Sequence, residues 1–320
     1  MVGDNDPTPV VDTLYGPLCL PPNPRDLIRR VLESEGEWAY LEALLLKPLL
    51  GPESAAFDVG AFVGTFSLAL AGFGVGRVVS VEPNPVSASL LKRNMARNCT
   101  VPYEVVQAAV GLHAGRAVVT RSIEENLGGT AYSANDEVDS REPVEQVTIA
   151  DLRRAHGSYD LLKLDVEGGE FDALRSDAVW IRDNKPLVWA ECNEKAGVAK
   201  ILEFMIWAGL SPVYVAFPVF RKNSFRSSPE KPFPQAYEAA LAGGPTGLYD
   251  RLTANGLGED IMVKRIRNFA DLRQAMWHTP RWSRAAWQDL SPAELTALLG
   301  RSLRGESFET FLLEDKASDT

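Results

Sequence analysis

Apolar positions change their period twice along this chain. The first fifteen or so residues are acidic and polar and read as a loose tail. From Arg25 to Leu50 the spacing is helical: Leu27, Ile28, Val31 and Leu32 form one stripe. Trp38, Leu41, Leu44, Leu45 and Leu49 form a second stripe, expected to face inward from a helix over 37–50, with Gly36 between the two. Asn23-Pro24-Arg25-Asp26 supplies a helix start, with Asn as N-cap, Pro at the first helical position and an acid in the first turn. From Ala55 onward, short apolar runs alternate with helical stretches, as in a parallel sheet. Strands are expected at 55–59, 77–82, 103–108, 161–165, 187–192, 212–216 and 260–264. The clearest helix covers 85–98, capped by Asn84 and carrying Leu90, Leu91 and Met95 on one face. The connections 111–150 and 217–258 exceed what a βα unit needs and read as loops that shape a pocket or lid. Further helices are expected to start at Thr279-Pro280 and at Ser291-Pro292-Ala293-Glu294, the latter a capping box. The pattern predicts an α/β fold, a seven-stranded, mostly parallel sheet with helices on both faces. It divides the chain into N-terminal helices over 1–50, a central domain over 51–265 with a long substrate loop at 217–258, and a helical extension over 266–320.

Two short stretches carry the chemistry. Phe57-Asp58-Val59-Gly60-Ala61-Phe62-Val63-Gly64-Thr65 has the form strand, tight glycine turn, helix. Glu82 ends the next apolar run about 20 residues on, where doubly wound folds place a carboxylate that grips ribose hydroxyls. The dinucleotide pattern G-x-G-x-x-G is absent, because Phe62 takes the place of its second glycine and would crowd a pyrophosphate. Asp58 would repel one, whereas it suits a sulfonium ligand with a free ammonium group. The second stretch, Leu162-Lys163-Leu164-Asp165-Val166-Glu167-Gly168-Gly169-Glu170, sets carboxylates at a strand end.

Composition narrows the partners. The chain has 320 residues, 45% of them apolar, and a formal net charge of −10, which argues against nucleic acid as the main partner. Bases gather locally: Arg221, Lys222, Arg226 and Lys231 stand against Glu230, and Lys264, Arg265, Arg267, Arg273, Arg281 and Arg284 against Asp271. They read either as solvated helix surface or as a face for an anionic compound. Cys19, Cys99 and Cys192 have no metal-like spacing and fit reduced thiols in a cytoplasmic protein. Neither a signal peptide nor a membrane-spanning run is visible.

The segment Asp58-Val59-Gly60-Ala61-x-Val63-Gly64-Thr65, the run Glu82-Pro83-Asn84-Pro85 and the segment Leu162 to Glu170 resemble the FkbM methyltransferases, over roughly residues 36–265; Gly36-Glu37-Trp38 and Glu42 also fit. The resemblance implies a class I, Rossmann-like methyltransferase fold and an S-adenosylmethionine-dependent enzyme, mostly O-methylating macrolides and sugars. It implies that Asp58, Gly60, Ala61, Gly64 and Thr65 line the methionine part of the cofactor. Glu82 would bind the ribose, Pro83 would lie near the adenine, and Ala109 would offer a backbone N–H to the adenine edge. Asp165 would sit beside the transferring methyl. The family usually carries Asn where this chain has Phe62.

Methyl transfer to an alcohol needs loss of the hydroxyl proton, through a general base or a divalent metal. Asp165 and Glu167 are the leading candidates for the base; Glu167 reads equally as a brace for the Gly168-Gly169 turn. The spacing permits a divalent metal held with Glu191 but does not demand one, so no metal ligands are assigned. His278, within Trp277-His278-Thr279-Pro280-Arg281-Trp282, is a further catalytic candidate if this cluster folds over the cleft; otherwise it belongs to a tail helix packing its tryptophans on the core. The expected activity is O-methylation of a sugar, glycan or polyketide-type small molecule. The alternatives are N- or carboxyl-methylation with the same cofactor, or a non-catalytic cofactor-binding protein.

Overall fold

The computed structural model describes residues 8–279 except 39, 124–125, 135–141, 193–196, 222, 229–236, 255, 257 and 259. The chain opens on a hairpin of β1 (Val10–Thr13) and β2 (Gly16–Cys19), paired antiparallel. This corrects the loose-tail expectation from residue 10 onward, and the reason is tertiary. Leu18, Cys19 and Leu20 are fully buried, and Asn94 donates to the Cys19 carbonyl and accepts from its N–H.

Helix α1 (Leu27–Glu35) is capped by Asp26, whose Oδ1 accepts from Arg29 N at 2.9 Å, and not by Asn23. Asn23 makes a turn one step earlier by accepting from Arg25 N. Asp26 wins because its Oδ2 also accepts from Leu127 N at 2.9 Å, tying the helix start to a distant strand. Helix α2 (Tyr40–Leu46) is shorter than expected and runs into a 3-10 turn at Lys47–Leu49. It buries Ala43, Leu45 and Leu46, while Leu44 remains 37% exposed, contrary to the expected inward set.

The central unit follows as β3 (Ala55–Val59), α3 (Thr65–Gly72), β4 (Arg77–Val81), α4 (Pro85–Asn98) and β5 (Tyr103–Val106). Asn84 caps α4 by accepting from Val86 N and Ser87 N, and Leu90, Leu91 and Met95 are buried, as the pattern predicts. The connection expected to be a loop over 111–150 instead contributes to a second sheet. It comprises β6 (Ala109–Val110), β7 (Gly115–Ile123), β8 (Asn126–Ala134) and β9 (Val144–Val147), in the order β6-β9-β7-β8.

The remaining elements are α5 (Ile149–His156), β10 (Leu161–Leu164), α6 (Glu170–Arg175), α7 (Ala178–Asn184), β11 (Leu187–Glu191), α8 (Gly197–Trp207) and β12 (Val213–Pro218). After them come β13 (Tyr237–Gly243), α9 (Leu248–Thr253), β14 (Met262–Arg265) and α10 (Phe269–Trp277). The main sheet has eight strands, not seven, in the order β14-β12-β13-β11-β10-β3-β4-β5. The added strand is β13, which lies inside the stretch expected to be a substrate loop and pairs antiparallel with both β11 and β12. The helices expected from Thr279-Pro280 and Ser291, and residues 280–320 of the extension, lie outside the described residues.

Strand alternation splits the interior into two cores. Leu161 joins one core, with Leu46, Leu70, Leu91, Trp189 and Phe217; Leu162 and Leu164 join the other, with Ile149, Leu174, Ile181, Leu202 and Phe204. Chain order reverses between β3 and β10, with β4 and β5 on one side and β11 on the other. In an open α/β sheet that reversal leaves a crevice at the carboxyl ends of the strands, the usual ligand site.

Candidate active site

At that crevice lies a cavity of about 210 Å³. Its floor comes from the ends of β3 and β10. Gly60 turns the chain with φ +89°, and a Cβ there would stand 1.8 Å from the Asp165 carbonyl oxygen, so only glycine lets the two strand ends approach. Gly60 N and Ala61 N both donate to the Val81 carbonyl, locking the turn against β4. Phe62 sits at φ 49° and Glu167 at φ 57°, left-handed conformations unusual for residues other than glycine, asparagine and aspartate. Asparagine adopts the first of these conformations more readily than phenylalanine.

Glu82 is buried beside the turn. Its Oε2 accepts from Phe62 N and its Oε1 from Asn84 N, both at 2.9 Å. The two N–H groups fix the plane of the carboxylate and leave lone pairs for a diol. Burial pushes this carboxyl up to about 7, against the two backbone hydrogen bonds.

A polar row crosses the sheet behind the cavity. Ser80, Asp58, Lys163 and Trp189 are register partners on β4, β3, β10 and β11. Ser67 Oγ donates to Asp58 Oδ2 at 2.6 Å and lies 2.7 Å from Ser80 Oγ. Lys163 Nζ donates to Asp165 Oδ2 at 3.0 Å and stands 3.6 Å from Asp58 Oδ1. Trp189 Nε1 donates to Glu42 Oε1 at 2.7 Å. Burial disfavours the Lys163 ammonium, but Asp165, Glu42 and Asp58 outweigh it and hold the group above its ordinary range. Burial pushes Glu42 up to about 7, with Lys163 opposing, and raises Asp58 likewise.

Glu191, at the end of β11, lies among acids. Its carboxyl is raised well above the ordinary range by burial first, then by Asp165, Glu238, Glu167 and Glu170. Glu167 pairs with Arg121 of β7. The bracing role weighed for Glu167 falls to Glu170, whose Oε1 accepts from Val166 N and Gly168 N.

The structure therefore brings Asp58, Gly60, Ala61, Thr65, Glu82, Pro83, Ala109, Asp165 and Glu167 onto one cavity wall. Gly64 is not on that wall: at φ +95° it caps α3, and a Cβ there would meet Leu91 Cδ1 at 2.8 Å, so it serves helix packing. His278 caps the end of α10, is exposed and does not line the cavity. Arg281 and Trp282 lie outside the described residues. Sequence reasoning missed Lys163, though its place two residues before Asp165 put both on one strand face. It also missed Tyr132 of β8, which joins the wall with Gly128 and Thr130, and the contributions of Trp38, Phe217 and Glu238.

Residues 58–208 match the family model described as the methyltransferase FkbM domain. No curated protein matches the chain. Similar solved structures include methyltransferase FkbM from Methylobacillus flagellatus KT, at 15% identity and TM-score 0.41, covering 61% of this chain and 44% of that one. Precorrin-6y C5,15-methyltransferase from Geobacter metallireducens GS-15 matches at 12% identity and TM-score 0.41, covering 65% and 87%. The Pyrococcus abyssi tRNA (uracil-54, C5)-methyltransferase, in complex with S-adenosyl-L-homocysteine, matches at 15% identity and TM-score 0.35, covering 64% and 38%. The chain thus spans less than half the length of the Methylobacillus protein. Among the described residues no helix is long and apolar enough to cross a membrane.

Proposed function

We propose that this chain, whose residues 58–208 match the methyltransferase FkbM domain model, is an S-adenosylmethionine-dependent O-methyltransferase acting on a hydroxyl of a sugar, glycan or polyketide-type small molecule. The observation that carries the cofactor assignment is Glu82, held by two backbone N–H groups beside a turn whose Gly60 tolerates no side chain. Its free lone pairs accept from the ribose hydroxyls. Ala109, Pro83 and Tyr132 flank the adenine end of the cavity, and Gly60, Ala61, Thr65 and Asp165 the methionine end. Asp58 acts from behind, as the fully buried counter-charge of Lys163.

Methyl transfer is an in-line displacement, so positioning supplies much of the rate. S-adenosylmethionine bound here would supply an electrophilic methyl group and a neutral thioether as leaving group, and the acceptor oxygen must lose its proton. Asp165 receives that proton. Lys163 fixes its Oδ2 and so points the carboxylate at the reacting centre. The acceptor enters beside Trp38, Phe217 and Glu238. A small neutral compound, met in the cytoplasm where thiols stay reduced, suits a cavity lined by Glu42, Asp165, Glu167, Glu191 and Glu238; an anionic one would need the bases of the 221–231 and 264–284 runs. The working division of the chain remains 1–50, 51–265 and 266–320.

Calorimetric titration with S-adenosylhomocysteine tests this reading. Micromolar binding that weakens at least tenfold in Glu82→Ala, about 1.4 kcal/mol, supports it, and no binding by the wild-type protein sinks it. Transfer of a labelled methyl from S-adenosylmethionine to a panel of sugars and polyketides then identifies the acceptor.

A further inference from the structure

We propose that Asp165, Glu167 and Glu191 form a binding site for a hard divalent cation, of the Mg²⁺, Mn²⁺ or Ca²⁺ kind. One carboxylate oxygen from each of the three lies within 4.8 Å of the others. Oxygens on one ion stand at most two bond lengths apart, roughly 4.2 Å for Mg²⁺ and about 4.8 Å for Ca²⁺. The three oxygens are therefore close enough to share one ion of this kind. All donors are carboxylates with no imidazole or thiolate among them, which selects hard cations over zinc or copper.

The second, independent observation is Glu191 itself. Its Oε2 is buried and has no hydrogen-bond partner, and it lines the cavity into which Asp165 and Glu167 also face. A buried unpartnered carboxylate oxygen costs stability unless something positive occupies the space before it. Glu170 and Glu238 add to the negative potential around it. The described bases nearby are already committed: Lys163 to Asp165 and Asp58, and Arg121 to Glu167. Arg121 is 45% exposed on its side chain, so an arriving ion can displace it toward solvent.

The placement also has a chemical sense, which rests on the methyl-transfer reading above. Asp165 follows β10 and Glu191 ends the neighbouring parallel strand β11 at the crevice, so an ion there would lie beside the reacting end of the cofactor. A hydroxyl bound to a divalent cation loses its proton far more readily than a free one. The acceptor would thus be both oriented and acidified.

The test is Mn²⁺ titration of the full chain, purified after chelation and followed by the electron paramagnetic resonance of free Mn²⁺, with Mg²⁺ and Ca²⁺ as competitors. One ion per chain is expected, weakened at least tenfold in Glu191→Gln and tightened severalfold in Arg121→Gln, which releases Glu167. Glu191→Gln is close to isosteric and removes a buried carboxyl whose Oε2 has no hydrogen-bond partner, so its melting temperature in chelator should be no lower than that of the wild type. S-Adenosylhomocysteine binding, measured on the same samples, should survive in Glu191→Gln. Absence of a stoichiometric Mn²⁺ site, or a site that Glu191→Gln retains, overturns the proposal. Either result leaves the cofactor titration to decide the methyl-transfer reading separately.

Discussion

If Glu82 grips the ribose as an ionised carboxylate, cofactor affinity must depend on pH in one direction. In the empty site burial raises its carboxyl to about 7. Below that pH the group is mostly protonated, and its own O–H occupies one of the positions that a ribose hydroxyl would use. The apparent Kd then scales as one plus the ratio of protonated to ionised carboxyl. Lowering the pH from 8 to 6 takes that factor from about 1.1 to about 11, a tenfold loss worth about 1.4 kcal/mol. The sign follows from the direction of the shift: a raised carboxyl ionises as pH rises, so affinity climbs through neutrality. The amino and carboxyl groups of S-adenosylhomocysteine do not titrate between pH 6 and 8, which leaves the protein as the source. Calorimetry at several pH values on wild type and Glu82→Ala checks this, and the variant should be both weaker and flat. A pH-independent Kd in the wild type, or a slope that persists in Glu82→Ala, would refute the assignment of this carboxylate to the ribose.

Three further outcomes can be measured, two of them from the polar row. Lys163→Met leaves Asp58 and Asp165 without their ammonium and should cost about 3–5 kcal/mol near neutral pH in denaturant titration. Part of that loss should be recovered in acid as the carboxyls protonate. Glu42 rises from 4.5 to about 7 on folding, so its contribution to stability is present below its unfolded value and lost as pH rises through about 7. Glu42→Gln should therefore be up to about 3 kcal/mol more stable than wild type at pH 8 and match it near pH 4. His278→Ala should leave turnover unchanged once an acceptor is found, because the exposed imidazole lies away from the cavity wall; a tenfold fall would return it to the chemistry.

The parts of the fold that were legible in the sequence are those whose pattern is local. Strands β3, β4 and β10 are short runs buried on both faces between helices with visible caps, and the glycine turn carries its reason within five residues. What escaped was written in other terms. Strand β13 reads Tyr-Glu-Ala-Ala-Leu-Ala-Gly, with low strand propensity, and is a strand because β11 and β12 flank it and need small residues between them. The β7–β8 hairpin looked like loop because Gly128-Gly129 and alternating polar residues suit a sheet with one face toward a cavity. The row Ser80–Asp58–Lys163–Trp189 depends on strand register, which no spacing within one strand discloses. His278 was singled out by its aromatic neighbours, a weaker signal than register or burial.

These differences fall along one line, which bears on how substrate choice evolved in such a site. In the methyl-transfer reading, the cofactor end of the cavity is built mainly from the turns following β3, β4 and β10, with Ala109 of β6 and Tyr132 of β8 at its adenine side. In that reading the acceptor end draws on separate pieces of chain: Trp38 and Glu42 ahead of the central sheet, Phe217 on β12 and Glu238 on β13. Trp38, Glu42, Phe217 and Glu238 all lie outside the segment 58–208 that matches the family model. Changes there can alter the acceptor without disturbing Gly60 or Glu82. A change at Lys163 cannot, because its ammonium ties Asp58 on the cofactor strand to Asp165 at the reacting centre. Substitutions at Trp38, Phe217 and Glu238 should therefore shift acceptor preference while S-adenosylhomocysteine affinity holds, whereas any neutral residue at Lys163 should cost stability and cofactor binding together.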